Sequence, residues 1–165
     1  MSANQPVLSI CVPSRNRQFY FQETIRALTA SLRTDVEFVF CDNSDDPSVM
    51  IDFIAPYRAD PRVVFVASGE ATRPMVDNWE AALAASSGRW ISVIGDDDYL
   101  DPDLAGLIGR IEEQAPDMEA IDWVKLYYSW PYEGKPVLSN PVHMQTEIHE
   151  VPKPSLMNRA FRWEN

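Results

Sequence analysis

Residues 90–104 read WISVIGDDDYLDPDL, passing from a short apolar run through a polar turn into the start of a helix. The apolar run predicts a buried strand over residues 90–94. Asp101 followed by Pro102 is typical of a helix cap and first turn. The helix is then predicted from apolar residues at helical spacing, namely Leu104, Leu107, Ile108 and Ile111. The stretch is a strand–turn–helix unit, and we refer to residues 95–98 as the acidic turn.

The same alternation of strands and helices extends in both directions from this unit. Further strands are predicted at residues 7–12, ending at Pro13, and at residues 36–41, 63–67 and 122–128. The first helix is predicted over about 19–32, from apolar residues Phe21, Ile25, Leu28 and Leu32. The second is predicted to have Pro47 in its first turn and to carry Val49, Phe53 and Tyr57. The third is predicted to be capped by Thr72, with Met75, Trp79, Ala82 and Leu83 on its inner face.

This order of elements predicts an α/β fold with a mostly parallel sheet flanked by helices. Strand runs that are apolar on both faces, alternating with helices, are typical of such sheets. The domain is expected to cover residues 1–128. Residues 129–165 are rich in proline, and we expect a loop-rich extension there with one hairpin. The start of a truncated acceptor half is one interpretation of this extension.

Composition narrows the class of partner and the compartment. Acidic residues outnumber basic residues 25 to 14, for a formal charge of -11, which argues against a binder of nucleic acid. Cys11 and Cys41 lie in apolar runs and are expected to be reduced core residues. The N-terminus does not resemble a signal peptide, and no run of apolar residues is long enough to span a membrane. A cytoplasmic location is expected, with peripheral membrane association left open.

The acidic turn is the strongest indication of chemistry. Adjacent carboxylates repel one another, so a fold that places Asp96, Asp97 and Asp98 together usually holds a cation there or leaves them in water. Hard oxygen ligands suit Mg²⁺ or Mn²⁺ bridging to the phosphates of a substrate. A solvated acidic turn, with Asp98 or Asp101 serving only as a cap, is the alternative.

Two further groups of polar residues follow predicted strands, where ligands gather in parallel sheets. Asp42 follows the second strand and has the chemistry to accept a hydrogen bond from a base N–H, or simply to form a turn. Arg15 and Arg17 follow the first strand and suit a diphosphate. Surface ion pairs with acids of the next loop are an equally good interpretation of each arginine.

Three segments together resemble the family 2 glycosyltransferases of GT-A fold. They read VLSICVPSRNR, VFCDNSDD and NWEAALAASSGRWISVIGDDDYLDPD, and they occur in the order and at the spacing of that family, over roughly residues 6–115. The resemblance implies a Rossmann-like fold and transfer of a sugar, with inversion, from a nucleoside diphosphate-sugar, often a UDP-sugar. The acceptor would be the hydroxyl of a saccharide or another molecule.

The resemblance also implies roles for individual residues. Pro13, Ser14 and Arg15 would lie along the base and ribose, and Asp42 would recognise the base. Asp96 would lie near the ribose, and Asp97 would bind Mn²⁺ or Mg²⁺ with Asp98 as its neighbour. Arg73 and Asn78 are candidates for further donor contacts.

The chain departs from the family pattern at two places. Gly95 stands where the family often has the first aspartate of its metal motif. The general base that the family carries after this motif is not matched by any of Glu133, Glu147, Glu150 and Glu164, and His143 and His149 are expected to be surface residues. The catalytic residue therefore stays unassigned, and a module that binds the donor without transferring sugar is the main alternative.

Two other classes fit less well. A nucleotidyltransferase generally needs a glycine-rich basic loop after the first strand, and PSRNRQF contains no glycine. A phosphorelay receiver would not keep its acidic residues on the fourth strand. The sugar, the acceptor and the oligomeric state do not follow from the sequence.

Overall fold

The computed structural model describes residues 5–69, 73–122, 129–132, 135–138 and 159–162. The strands within these residues are β1 Leu8–Ser14, β2 Val36–Asp42, β3 Val63–Ala67, β4 Trp90–Val93, β5 Ala120–Asp122, β6 Ser129–Tyr132, β7 Lys135–Leu138 and β8 Arg159–Arg162. The α-helices are α1 Gln18–Thr29, α2 Ser48–Ile54, α3 Met75–Ala84 and α4 Leu104–Gln114, with a 3₁₀ turn at Ala55–Ala59 after α2. None of the described helices has the length and apolar character needed to cross a membrane.

The main sheet has the strand order β3-β2-β1-β4-β8-β5. Strands β1 to β4 are parallel to their neighbours within that set, which confirms the predicted sheet. The hairpin expected in the proline-rich region is also present, as the antiparallel pair β6 and β7. Strand β8 was not predicted, because its four residues show no periodicity to mark them, and it lies antiparallel between β4 and β5. The division at residue 128 stays a prediction.

Both faces of the central parallel strands β1 and β2 are buried, and most of their residues are apolar. One face packs against α1 and α4, through a core whose members include Ile10, Phe38, Phe21, Ile25 and Ile108. The other face packs against α3 and contains Cys11, Val39, Cys41, Ala82 and Ile91. Both cysteines are buried free thiols, as predicted.

The strand ends differ from the sequence prediction near the functional edge of the sheet. Strand β1 continues through Pro13 to Ser14, although we expected it to stop at the proline. Pairing between β1 and β4 ends at Cys11, so the absent N–H of Pro13 breaks no ladder bond with β4. Strand β4 ends one residue early, at Val93. Strand β5 begins at Ala120, and residues 123–128 of its predicted span lie outside the described part of the chain.

The end of helix α1 and the start of helix α4 also differ from the sequence prediction. Helix α1 ends at Thr29, so Leu32 lies beyond it and is 95% exposed, because the chain has already turned toward β2. Helix α4 begins at Leu104, later than the start that Asp101 and Pro102 predicted. The Asp101 side chain instead accepts a hydrogen bond from the N–H of Asp103 at 3.0 Å, within the preceding turn.

The inner faces of two helices differ from the apolar pattern. Helix α2 buries Met50 and Ile54, while Val49 is exposed and Phe53 and Tyr57 pack at the edge of the core. Helix α3 buries Asn78 and Ala82, whereas Met75 and Trp79 are exposed. Hydrogen bonds of the Asn78 side chain to Ser14 and Cys41 fix the rotation of α3, which an apolar pattern does not reveal. Thr72, the predicted cap, lies outside the described residues.

Candidate functional site

Polar residues from four strands meet at the carboxyl edge of the parallel sheet. Ser14 ends β1 and pairs in register with Asp42, which ends β2. The Ser14 hydroxyl donates a 2.6 Å hydrogen bond to Oδ2 of Asp96, which follows β4. The N–H of Ser68, just after β3, donates to the carbonyl of Asp42 at 2.7 Å. The structure therefore brings together Ser14, Asp42 and Asp96, three of the residues predicted from the sequence.

Asp42 is fully buried, and its two carboxylate oxygens differ. Oδ1 accepts hydrogen bonds from the N–H of Ser44 at 3.2 Å and from the Ser44 hydroxyl at 2.6 Å. Oδ2 is buried and has no hydrogen-bond partner among the described residues. Burial raises the pKa of Asp42 above its ordinary value, and the two bonds from Ser44 partly oppose this shift. A buried acceptor without a partner is costly unless a ligand supplies the donor.

Arg73 lies at the same edge and carries the complementary group. The Asn43 amide fixes its main chain: Nδ2 donates to the Arg73 carbonyl and Oδ1 accepts from the Arg73 N–H, both at 2.8 Å. Burial raises the pKa of the Cys41 thiol, and the charge of Arg73 and a hydrogen bond with its side chain partly offset that effect. Its Nη1 is buried without a partner in the part of the chain that the structure describes.

Asp96 is the buried member of the acidic turn, with 6% exposure. Its carboxylate accepts from Ser14 and forms a 3.1 Å ion pair with Nε of Arg17. Burial raises its pKa, and the Ser14 hydrogen bond and the Arg17 charge partly counter that rise. The Thr24 hydroxyl, on α1, donates to the Asp96 carbonyl at 2.8 Å and ties the turn to that helix.

Asp97 and Asp98 bend over Gly95. A Cβ at position 95 would lie 3.1 Å from Oδ1 of Asp97 and 3.2 Å from Oδ2 of Asp98, so the missing side chain leaves a space that both carboxylates border. Within the described residues, no three His, Cys, Asp or Glu side chains form a metal-binding group. Two carboxylates are a sufficient protein contribution for Mg²⁺, which usually takes its other ligands from water and substrate phosphates. The residues present fit such an ion.

Arg15 and Pro13 occupy different environments at the end of β1. Pro13 is buried in the strand, whereas the Arg15 side chain is 48% exposed and pairs with Asp45 at 3.1 Å. This is the surface ion pair that the sequence left open for Arg15. Asn16 next to it has a φ of 56° and donates from Nδ2 to Asp45 Oδ2 at 2.8 Å, which closes the loop over the Asp45 carboxylate.

The profile of the family described as "Glycosyl transferase family 2" matches residues 9–162. The chain belongs to this family. An uncharacterized glycosyltransferase of Haemophilus influenzae is 20% identical over 164 residues, which cover 94% of this chain and 54% of that protein. The chain therefore spans about half the length of this curated relative.

Solved structures of glycosyltransferases share the fold. A structure of S. aureus TarS 1-349 superposes with a TM-score of 0.63 at 17% identity, covering 94% of this chain and 46% of TarS 1-349. The mannosyltransferase PcManGT from Pyrobaculum calidifontis, in complex with GDP-Man and Mn²⁺, gives a TM-score of 0.56 at 22% identity. That alignment covers 74% of this chain and 36% of PcManGT. These similarities confirm the GT-A architecture predicted from the sequence.

Sequence reasoning missed the residues that hold this family 2 site in place. Asn43, Ser44 and Thr24 were not among the site residues predicted from the sequence. Thr24 lies between the buried positions Phe21 and Leu28 of α1, so a polar residue on an apolar helix face was the available indication. The acidic residues and histidines considered as catalytic or metal-binding groups lie outside the described residues: Glu133, Glu147, Glu150, Glu164, His143 and His149.

Proposed function

We propose that this chain binds a uridine diphosphate-sugar and a divalent cation, Mn²⁺ or Mg²⁺, as the donor site of an inverting glycosyltransferase. The observation that carries the proposal is two buried groups at one edge of the sheet, Oδ2 of Asp42 and Nη1 of Arg73, that have no hydrogen-bond partner among the described residues. Transfer of the sugar to the hydroxyl of a saccharide or another acceptor is proposed for the whole protein.

The uracil edge has the pattern that these two groups would satisfy. It presents one N–H between two carbonyl oxygens, so Asp42 would accept from the N–H and Arg73 would donate to a carbonyl. Guanine presents two adjacent donors, N1–H and N2–H, and would need two open acceptors. Oδ1 of Asp42 already accepts two hydrogen bonds from Ser44, which favours a base with a single N–H.

The rest of the donor would extend from β2 toward the acidic turn. Ser14 and Asp96 join the ends of β1 and β4, and this arrangement supports placing the ribose there. Asp97 and Asp98 would hold the cation at the space above Gly95. A bound cation supplies neutralising charge to the diphosphate leaving group. Similar structures include TarS in complex with UDP and with UDP-GlcNAc, and PcManGT in complex with GDP-Man and Mn²⁺.

Titration of UDP, CDP and GDP, each with and without Mn²⁺, tests the proposal by calorimetry and thermal unfolding. A ligand at a hundredfold excess over its Kd stabilises the native state by about 2.7 kcal/mol, so specific binding will be visible in the melting temperature. We expect UDP with Mn²⁺ to give the largest shift. If no nucleotide raises the melting temperature more than Mn²⁺ alone does, the assignment of the donor site is wrong.

The Asp42→Asn variant tests recognition of the base. Asparagine keeps the size of the side chain but lets it present a donor, so UDP binding should weaken by roughly 1–3 kcal/mol, with a smaller loss for CDP. Cytosine has an acceptor where uracil has its N–H, which explains the expected difference. Equal losses for both nucleotides would reject base recognition by Asp42 and leave the metal site to be judged separately. Sugar release from UDP-sugars, measured in parallel, separates transfer from binding alone.

A further inference from the structure

The Arg17 guanidinium forms ion pairs with two aspartates of the acidic turn. Its Nε lies 3.1 Å from Oδ1 of Asp96, and its Nη2 lies 2.6 Å from Oδ2 of Asp97. We infer that Arg17 is the counter-ion of the acidic turn when no ligand is bound. When the cation binds Asp97, Arg17 leaves that carboxylate and then pairs with the donor diphosphate. This inference rests on the proposed function, because it assigns a role to a residue of the same site.

The acidic turn needs a positive charge before any ligand arrives. Asp96, Asp97 and Asp98 are consecutive, and adjacent carboxylates destabilise one another. Arg17 supplies that charge from the residue just before α1, while Thr24 holds α1 against the Asp96 carbonyl. The guanidinium also stacks over the Tyr20 ring, 4.8 Å from its centroid, which orients it toward the turn.

The two ion pairs of Arg17 differ in how easily they break. Asp96 is 7% exposed at its side chain and keeps the Ser14 hydrogen bond, so its position does not depend on Arg17 alone. Asp97 is 50% exposed and Arg17 is 44% exposed, and ion pairs so accessible to water are weak. A divalent cation at Asp97 therefore competes with a monovalent group that is easily displaced.

The displaced guanidinium would remain near the phosphates that the cation bridges. Its main chain is fixed at the start of α1, where the Arg17 carbonyl accepts the hydrogen bond of Phe21 N–H at 3.0 Å. The planar fork of a guanidinium matches two phosphate oxygens, and it carries charge at every physiological pH. Arg17 is thus a positioning residue with opposite effects on the two ligands: it opposes the cation and favours the nucleotide.

Arg17→Gln and a charge-matched control, Arg26→Gln, test the inference. Arg26 lies on α1, has a side-chain exposure similar to that of Arg17 and pairs with Glu23. Mn²⁺ affinity is measured without nucleotide by the loss of the free-ion electron paramagnetic resonance signal. UDP affinity is measured by calorimetry in saturating Mn²⁺. Both readouts are independent of turnover.

We expect Arg17→Gln to bind Mn²⁺ more tightly than the wild type, by roughly two- to fivefold, the range of an exposed ion pair. Its UDP affinity should fall by a similar factor, while Arg26→Gln changes neither appreciably. A purely structural Arg17 would weaken both ligands together when removed, and that result would overturn the inference, as would unchanged Mn²⁺ affinity. Failure of the wild type and the variant to bind Mn²⁺, with or without UDP, would overturn the metal site as well.

Discussion

The side-chain amide of Asn43 holds the main chain of Arg73 through two hydrogen bonds of 2.8 Å each, as a neighbouring strand would. Asn43 follows β2 and is 1% exposed, so neither bond is exchanged readily for one with water. The pair joins the turn after β2 to the segment that leads into α3. The position of the Arg73 guanidinium therefore depends on an amide 30 residues away.

Replacing this amide by a carboxylate tests that dependence. In Asn43→Asp an oxygen replaces the Nδ2 donor and faces the Arg73 carbonyl, so the free energy of unfolding should fall by roughly 1–3 kcal/mol. UDP affinity should fall as well, because Arg73 loses its support. Urea unfolding and calorimetry measure the two effects.

Asn16→Asp is the matched control for this substitution. Asn16 makes a similar reciprocal pair with Asp45 in an exposed loop: its Nδ2 donates to the Asp45 carboxylate at 2.8 Å, and its Oδ1 accepts from the Asp45 N–H at 3.0 Å. Water can solvate both carboxylates there, so we expect a smaller loss of stability than in Asn43→Asp. Equal losses of unfolding free energy in the two variants would show that burial of the Asn43–Arg73 pair contributes nothing to stability.

Two buried acids of β2 should respond in opposite ways when they are neutralised. Both oxygens of Glu37 accept hydrogen bonds, from Ser9 and Ser87, at 2.6–2.8 Å. Glu37→Gln replaces one acceptor by a donor and should destabilise the protein by roughly 1–3 kcal/mol. Oδ2 of Asp42 is buried and has no partner in the part of the chain that the structure describes, so Asp42→Asn should stabilise the free protein at pH 7 while weakening UDP binding.

The stability gain of Asp42→Asn should depend on pH. Because the folded pKa of Asp42 is raised above its ordinary value of 3.8, the folded wild type binds more protons than the unfolded chain. Wild-type stability therefore falls as pH rises from near 3.8 through the folded pKa, and asparagine removes this loss. Urea unfolding of both proteins from pH 3.5 to about 7.5 should show the advantage of the variant growing and then levelling off. If the difference in unfolding free energy between the two proteins does not change with pH, burial does not perturb the pKa of Asp42.

The parallel sheet was predictable because its central strands, β1 and β2, are buried on both faces and therefore mostly apolar. Strand β3 was predicted with its bounds correct, at Val63–Ala67. The rotation of α3 was not predictable from its apolar residues, because the buried Asn78 determines it through partners on β1 and β2. Strand β8 was missed for a different reason, since pairing with β4 and β5 defines it, and a pattern within four residues does not.

The convergence of Ser14, Asp42 and Asp96 followed from the sequence, since the carboxyl ends of parallel strands share an edge. The ion-pair partners of Arg15 and Arg17 could not be predicted from the sequence. Arg15 and Arg17 are two residues apart, yet one pairs with Asp45 in an exposed loop and the other with the acidic turn. A long, flexible cation takes whichever carboxylate the tertiary structure places within reach, and spacing along the chain does not encode that choice.

Asp97→Ala should abolish the Mn²⁺-dependent part of UDP binding and leave the fold intact. The Arg17–Asp97 pair is exposed, so its loss costs at most about 1 kcal/mol, and relief of repulsion within the acidic turn offsets part of that cost. Circular dichroism and calorimetry with and without Mn²⁺ measure the two expectations. Asp52→Ala, which removes an exposed charge from α2, should keep the full Mn²⁺ dependence. An unfolded Asp97→Ala protein would identify the acidic turn as structural.

Gly95→Ala tests the space that the acidic turn encloses. The added Cβ would lie 3.1 Å from Oδ1 of Asp97 and 3.2 Å from Oδ2 of Asp98, closer than carbon and oxygen normally approach. Both carboxylates must then shift by a few tenths of an ångström, which solvent-accessible side chains can do without unfolding the protein. We expect Mn²⁺ affinity to fall by roughly tenfold, as when the surroundings of metal ligands are disturbed.

Gly109→Ala is the control that separates this effect from the general consequence of replacing glycine. Gly109 lies within α4, and a Cβ there meets no atom of the described structure within 4 Å. Alanine should stabilise that helix by roughly 0.5–1 kcal/mol and leave Mn²⁺ affinity unchanged. If Gly95→Ala binds Mn²⁺ as tightly as Gly109→Ala does, the two carboxylates do not hold the ion above Gly95. Because Asp97→Ala removes a ligand and Gly95→Ala only displaces it, a loss confined to Asp97→Ala would place the ion on the Arg17 side of Asp97.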